Sequence, residues 1–304
     1  MQVPPLARSA LHRDHAARVA PGAVARALED PATRIVAIAG DRAPVRDGAL
    51  VRFPPDGLPA DAAVDPLVPL SWLGRTSSLD GEDGSGGVVL SLLVAEPFDV
   101  PGAEWRSLRE VGAELDDADA GVLVQAVALG VWQRESHHSP VDGSPADFEE
   151  SGWVRRDATG GAHFPRTDPA VIVAIHDRAD ERILLGHNAA WPKDRYSLIA
   201  GFVDPGESLE AAVVREVHEE TGLTVVEPHY LGSQPWPFPR SLMIGFECIA
   251  DDPGSIRPDG VEILDVRWFT RDELRAGAVR LPGRTSIAAW IIDAWLARGA
   301  GPRP

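Results

Sequence analysis

The stretch Gly201-Phe-Val-Asp-Pro-Gly-Glu207-Ser-Leu-Glu-Ala-Ala-Val-Val-Arg215-Glu216-Val-His-Glu219-Glu220-Thr-Gly222-Leu223 decides how the rest of the chain is read. Pro205-Gly206 signals a turn. Glu207 or Ser208 then caps a helix, with Ser208 preferred because a short polar side chain accepts a free first-turn N–H. Nothing from Leu209 to Glu220 breaks a helix. Thr221-Gly222 supplies the stop, since glycine adopts positive φ without a Cβ penalty. Leu209, Ala212, Val213 and Val217 form one apolar stripe and predict the buried side. Glu216, Glu219 and Glu220 stand at i, i+3 and i+4 and share another face. Like charges so placed cost about 0.2–0.5 kcal/mol per pair on an exposed helix. A hard cation, Mg²⁺ or Mn²⁺, removes that cost by taking carboxylate oxygens and keeps waters for a phosphate ligand. The ordinary alternative is a solvated acidic face, and spacing alone weighs the two evenly. Arg215 is in reach of Glu207 or Glu210.

The same stretch resembles the Nudix box, Gly-x5-Glu-x7-Arg-Glu-U-x-Glu-Glu-x-Gly-U with U aliphatic. Gly201, Glu207, Arg215, Glu216, Val217, Glu219, Glu220, Gly222 and Leu223 match every defined position. Fixed spacing over that many positions makes the motif specific. The resemblance implies a Nudix hydrolase, which cleaves a nucleoside diphosphate linked to another moiety.

Outward from the box, residues 170–175 read as a buried strand, 176–181 as a hairpin turn and 182–186 as the return strand. Residues 196–203 deliver the chain to the box. Strands are expected at 225–231, 241–249 and 262–269. Thr270, three before Glu273, caps a short helix, and 285–298 forms a closing helix. The expected fold class is α/β, the Nudix α/β/α sandwich with a mixed sheet, over 164–304.

Ten residues after the box comes Ser233-Gln234-Pro235-Trp236-Pro237-Phe238-Pro239-Arg240-Ser241. Alternating prolines fix φ and remove donors, which predicts a stiff extended loop. Trp236 and Phe238 offer flat faces for a base, worth about 1–3 kcal/mol per stack. Gln234 offers donors and an acceptor to a base or ribose edge. A rigid, aromatic-packed surface loop is the plain alternative. Downstream of a Nudix box, this loop resembles that of the NADH pyrophosphatase branch. That resemblance implies a homodimer that splits NAD(H) into nicotinamide mononucleotide and AMP, some members also removing NAD caps from RNA. It implies metal ligation by Glu216, Glu219, Glu220 and Glu262, and water activation by Glu220 or Glu219. Arg215 would position the glutamates. Substrate contacts are implied for Gln234, Pro235, Trp236, Pro237, Phe238, Pro239, Arg240 and Ser241, and for Glu262, Ala288 and Phe164. Phe164 stands where the family commonly has tyrosine.

The chain has 304 residues, enough for two domains. Its 44% hydrophobic and 25% charged content is ordinary for a globular protein. The net charge of −17 argues against a broad basic nucleic-acid surface. Lys193 is the only lysine, a compositional bias rather than a functional sign. No apolar run of about 18 residues predicts a membrane span. Residues 1–20 show no apolar leader core, and Gly301-Pro-Arg-Pro304 is no peroxisomal address, so a cytoplasmic protein is expected.

Residues 1–135 read as an α+β domain with no chemical motif. Helical spacing covers 16–28, strands are expected at 34–39, 49–53 and 87–95, a short helix at 105–111 and a long one at 118–134. Residues 54–65 are rich in turn formers, 67–74 form an apolar stretch, and 80–87 compose a flexible loop. Residues 136–163 have linker composition, with His137 and His138 expected in solvent. The family usually carries a four-cysteine zinc ribbon here. Ser139, Asp142, Asp157 and Gly160 occupy those places, and the one cysteine, Cys248, lies elsewhere. Such a set cannot form the thiolate site zinc favours, so no zinc is expected. Two further readings stay open: a pyrophosphatase for another dinucleotide such as ADP-ribose, and a nucleotide-sensing module without catalysis.

Overall fold

The computed structural model describes residues 3–59, 62, 64–65, 68–76 and 86–299. The expected loop at 80–87 lies outside them as far as residue 85. So do residue 67 of the apolar stretch, parts of 54–65, and 301–304. The chain separates into two compact units. One holds Met1–Ala7, Asp168–Pro235 and Ser241–Pro304, the other Arg8–Thr167 and Trp236–Arg240.

The second unit begins with β1 (Leu11–His12), α1 (His15–Val19) and α2 (Ala23–Glu29). The single helix expected over 16–28 is two, because Pro21-Gly22 intervenes and Gly22 caps α2 at φ 69°. β2 (Arg34–Ile38), β3 (Arg42–Arg46), β4 (Ala49–Leu50), β5 (Ser71–Thr76), β6 (Val88–Leu93) and β7 (Glu104–Ser107) follow. They form two sheets, β1-β5-β6-β2 and β4-β3-β7. The strand expected at 49–53 is shorter, with Phe53 making one bridge to Ile35. The short helix expected at 105–111 begins later. Trp105, Arg106 and Ser107 pair with β3, and α3 (Leu108–Val111) starts only after the Ser107/Glu110 capping box. α4 (Asp117–Glu135) is buried on most sides.

Residues 136–163 carry a third sheet, β10 (Ala162–His163), β9 (Val154–Asp157) and β8 (Ala146–Glu149), in that order. Asp157 is its polar centre. Its Oδ1 accepts from Thr159 N, Thr159 Oγ1 and Gly161 N, and His163 Nε2 lies 2.8 Å from its Oδ2. Those bonds, Thr159 first and His163 next, hold the carboxyl well below the usual range. Of the two histidines expected in solvent, His138 is exposed and His137 is half-buried. The buried Arg155 guanidinium draws His137 in, with Nη2 3.1 Å from Nδ1.

The first unit is built on one mixed sheet. β11 (Asp168–His176), β12 (Arg182–Asn188), β13 (Ile199–Phe202), β14 (Val225–Trp236), β15 (Ser241–Ala250) and β16 (Ile263–Thr270) run in the order β14-β15-β11-β12-β16, with β13 beside β11. β11 is parallel to β15 and antiparallel to β12 and β13. Strand alternation sends Val171, Val173 and Ile175 to one face, where α5 (Leu209–Thr221) packs. Ile172 and Ala174 face the other way, under α7 (Ile287–Arg298). α6 (Arg271–Arg275) follows β16 behind the expected Thr270/Glu273 capping box. This is an α/β/α sandwich. Among the described residues no helix is long and apolar enough to cross a membrane.

A buried charge cluster ties α6 and α7 to the sheet. His176 is fully buried, with Asp180 Oδ1 3.5 Å from Nδ1 and Glu247 Oε2 3.5 Å from Nε2. Arg271 pairs with Asp180 at 2.9 Å and Arg298 with Glu247 at 3.0 Å. Burial raises the Glu247 pKa, but the close approach of His176 and the hydrogen bond from Arg298 prevail and bring it down to about 2 from 4.5. A carboxyl with a depressed folded pKa stabilises fully above its unfolded value, and that contribution fades as pH falls towards the folded one. Glu247→Gln is therefore expected to cost on the order of 3 kcal/mol at pH 7. The gap from the parent should narrow below pH 4.5 and nearly close by pH 2. Denaturant unfolding at pH 7 and pH 3 checks this, and an equal loss at both would reject it.

Candidate active site

Residues 201–223 carry the chain from β13 into α5. Ser208 is the N-cap, its Oγ accepting from Ala211 N at 3.2 Å, and Gly222 is the C-cap at φ 73°. Ala212, Val213 and Val217 are fully buried, and Leu209 packs half-buried beside them. With that stripe seated, Arg215 becomes the hub of the remaining face. Its Nε and Nη2 donate to the two oxygens of Glu207, each at 2.9 Å. Nη1 donates to Glu216 Oε1 at 2.9 Å and to Glu219 Oε2 at 3.3 Å, and Nη2 also to the Phe202 carbonyl at 2.9 Å. Of its two expected partners the guanidinium takes Glu207 rather than Glu210. The pairing lowers the Glu207 pKa and raises that of Arg215.

Gly201 is required for a steric reason. A Cβ at that position would stand 2.0 Å from Glu216 Cδ, inside the carboxylate. The atoms in its way end a flexible side chain, so Gly201→Ala is expected to fold and to displace Glu216. Mn²⁺ binding should weaken about 10- to 100-fold, the range for a disturbed ligand shell, with little change in Tm. An unchanged affinity would show that Glu216 has no fixed place among the carboxylates.

Glu220 is only 5% exposed, and its Oε2 is buried without a hydrogen-bond partner. Burial, then the charges of Glu262, Glu216, Asp259 and Glu219, push its pKa up to about 8. Burial also raises Glu216, against the pull of Arg215. Glu219 is largely in solvent, its side chain 59% exposed. Glu262 is an exposed residue one position ahead of β16, where Asn188 Nδ2 donates to its Oε1 at 3.3 Å. Glu216, Glu219, Glu220 and Glu262 together offer only hard oxygen donors, and the orphaned Glu220 oxygen is a group that a divalent cation would satisfy. No three His, Cys, Asp or Glu among the described residues close on a single point.

The proline-aromatic stretch is divided. β14 extends through Pro235 to Trp236, so its first part is sheet rather than loop. Gln234 is fully buried; its Oε1 accepts from Leu6 N and its Nε2 donates to the Thr285 carbonyl, both at 3.1 Å. Both ends of its amide are thus engaged inside the unit. Pro235 is half-buried, and Ser241 opens β15 half-buried. Ala288 is 4% exposed in the core beneath α7, on the sheet face opposite α5.

Trp236 and Phe238 belong to the second unit. Their rings meet edge to face at 4.9 Å. The Arg109 guanidinium lies 3.7 Å over the Phe238 ring and 5.0 Å from the Trp236 ring. Pro237 is buried, Pro239 is exposed behind a cis peptide bond, and Arg240 Nη1 reaches Glu135 at 3.3 Å. Phe164, in the same unit, is 62% exposed. Nothing in the sequence joins Arg109 to that loop. Asp259 and Asn188 also escaped the sequence reading, although Asp259-Gly260 is a turn signal just ahead of Glu262.

Residues 166–291 match the NUDIX domain family. An NAD-capped RNA hydrolase NudC of Mycobacterium bovis (strain BCG / Pasteur 1173P2) is 45% identical over 217 residues, covering 67% of this chain and 68% of that protein. The protein of that name from Stutzerimonas stutzeri (strain A1501) is 39% identical over 245 residues, covering 78% and 86%. Among solved structures, a NUDIX hydrolase from Nitrosomonas europaea is 26% identical, covering 45% of this chain and 93% of its own, with a TM-score of 0.36.

Proposed function

We propose that this chain, which belongs to the Nudix hydrolase family and acts on NAD-related substrates, cleaves the pyrophosphate of NADH or NAD into nicotinamide mononucleotide and AMP. The observation that carries the reading is Glu220, a buried carboxylate with a partnerless oxygen, set among Glu216, Glu219 and Glu262. Mg²⁺ or Mn²⁺ bound by those four residues would neutralise the diphosphate and acidify a water. Glu220 Oε2 takes the proton of the attacking water. Water oxygen adds to one phosphorus, the bond from that phosphorus to the bridging oxygen breaks, and two monophosphates result. Arg215 keeps Glu207, Glu216 and Glu219 from turning away. The resemblance assigns base stacking to Trp236 and Phe238, and Phe164 is a further exposed ring of the same unit. Pro235, Pro237 and Pro239 stiffen that segment, and Arg240 and Ser241 flank it. Gln234 and Ala288, with their buried positions, serve this reading as supports of the strand and closing helix.

NAD-capped RNA presents the same dinucleotide at its 5′ end, and kinship with the NudC proteins supports it as a second substrate. The resemblance alone supports a homodimer. Chromatography of products after incubation with NADH and Mn²⁺ tests the reading. Equimolar reduced nicotinamide mononucleotide and AMP are expected. Cleavage of ADP-ribose with none of NADH would move the substrate, and nucleotide binding without any AMP release would favour a sensing module.

A further inference from the structure

Glu262 occupies an unpromising position for a precise role. It is exposed and stands at the start of β16, an outer strand of the sheet. A long side chain there ordinarily keeps its rotamer freedom until something binds, and ordering it then costs free energy. Here the backbone around it is held at several points. Asp259 folds back on its own chain. Its Oδ1 accepts from Val261 N at 2.9 Å, Glu262 N at 3.2 Å and Ile263 N at 2.9 Å. The Glu262 carbonyl accepts from Ala189 N at 2.8 Å.

A second device meets it from β12. The β12–β16 ladder pairs His187 with Asp265 but Asn188 with Ile263, so Leu264 is passed over. Leu264 is accordingly 49% exposed. A bulge of this kind bends the strand and re-aims its neighbours. It sets Asn188 beside Glu262, with Nδ2 3.3 Å from Oε1.

We propose that Asp259 and Asn188 are positioning residues that preorganise Glu262 as a cation ligand, Asp259 through the backbone and Asn188 through the carboxylate. This rests on the reading of Glu262 as a member of the metal set. Preorganised ligands bind more tightly because less freedom is lost on binding.

The test uses the full chain and Mn²⁺ alone, with free Mn²⁺ read by electron paramagnetic resonance, beside NADH turnover. Asp259→Ala should weaken Mn²⁺ binding about 10- to 100-fold. It should lower kcat, leave KM for NADH nearly unchanged, and speed amide exchange at residues 261–263. Asp259→Asn keeps an Oδ1 acceptor for all three N–H groups and should restore binding, rate and protection. Asn188→Ala should weaken Mn²⁺ binding without changing that exchange. Wild-type Mn²⁺ affinity in Asp259→Ala overturns the proposal. An Asp259→Asn variant as impaired as the alanine also overturns it, because charge rather than geometry would then matter. Glu262→Gln separates the premise from the inference. If it binds Mn²⁺ and turns over NADH like the wild type, the premise fails. If it is impaired while Asp259→Ala is not, only this inference fails.

Discussion

Glu220→Gln is expected to keep its fold and lose NADH hydrolysis by about 10²- to 10⁴-fold at saturating Mn²⁺, the range for removing a positioned acid–base group. Glutamine preserves the shape of the side chain but can neither take a proton nor offer a charged ligand. Stability should move the other way. Glu220 is buried, repelled by Glu262, Glu216, Asp259 and Glu219, and left with an unpartnered oxygen. Its ionised form therefore opposes folding when no cation is bound, and a neutral amide lifts that repulsion. Thermal unfolding in EDTA should show a Tm equal to or above that of the wild type. A strained group retained at a cost to stability marks function rather than scaffolding. Wild-type turnover, or a Tm several degrees lower, would remove Glu220 from the reaction.

What a single sequence discloses here depends on how far apart the partners lie. α5 was legible because its apolar stripe, the Ser208 cap and the Gly222 stop are all local signals. The unbroken apolar run at 170–175 foretold a buried strand, and Thr270/Glu273 foretold the start of α6. The sandwich follows from such signals in series. Gln234 was misjudged because its partners, Leu6 and Thr285, are remote in the chain, and Pro235 concealed that β14 continues through it. The cover of Phe238 by Arg109 is likewise a pairing between distant segments. Pro- and Gly-rich composition concealed the sheet within 136–163, whose order rests on Asp157 accepting several hydrogen bonds. At the site, the nearness of Glu216 and Glu219 was readable from their i, i+3 spacing. The reason for Gly201, the bulge at Leu264 and the fold-back of Asp259 were not: the first arises when α5 packs on β13, the second when β12 and β16 pair, and the third depends on the conformation the chain takes at 259–263.

Arg215 carries the other large expectation. It shows how Glu216 and Glu219 on α5, and Glu207 just ahead of it, are tolerated as neighbours: all three pair with the same side chain. One planar guanidinium meets both oxygens of Glu207, one oxygen each of Glu216 and Glu219, and the Phe202 carbonyl. A fork–fork pair fixes orientation as well as charge, which a point cation cannot do. Arg215→Ala should leave those carboxylates facing each other without a counter-charge and free the segment between β13 and α5. Hydrolysis should fall about 10- to 100-fold, the usual cost of losing the support of a ligand shell. Hydrogen bonds to charged groups contribute about 1.5–3 kcal/mol each when buried. Because Arg215 retains 26% side-chain exposure, the stability loss should lie towards the lower figure for the whole cluster. Arg215→Lys discriminates between charge and geometry. If charge alone mattered, lysine would restore both rate and Tm. The bidentate grip on Glu207 and the simultaneous reach to Phe202 and Glu216 require the fork, so lysine should recover part of the Tm and little of the rate. Full recovery of kcat by lysine would reduce Arg215 to a counter-ion and leave the placement of Glu216 to the close approach of Gly201 alone.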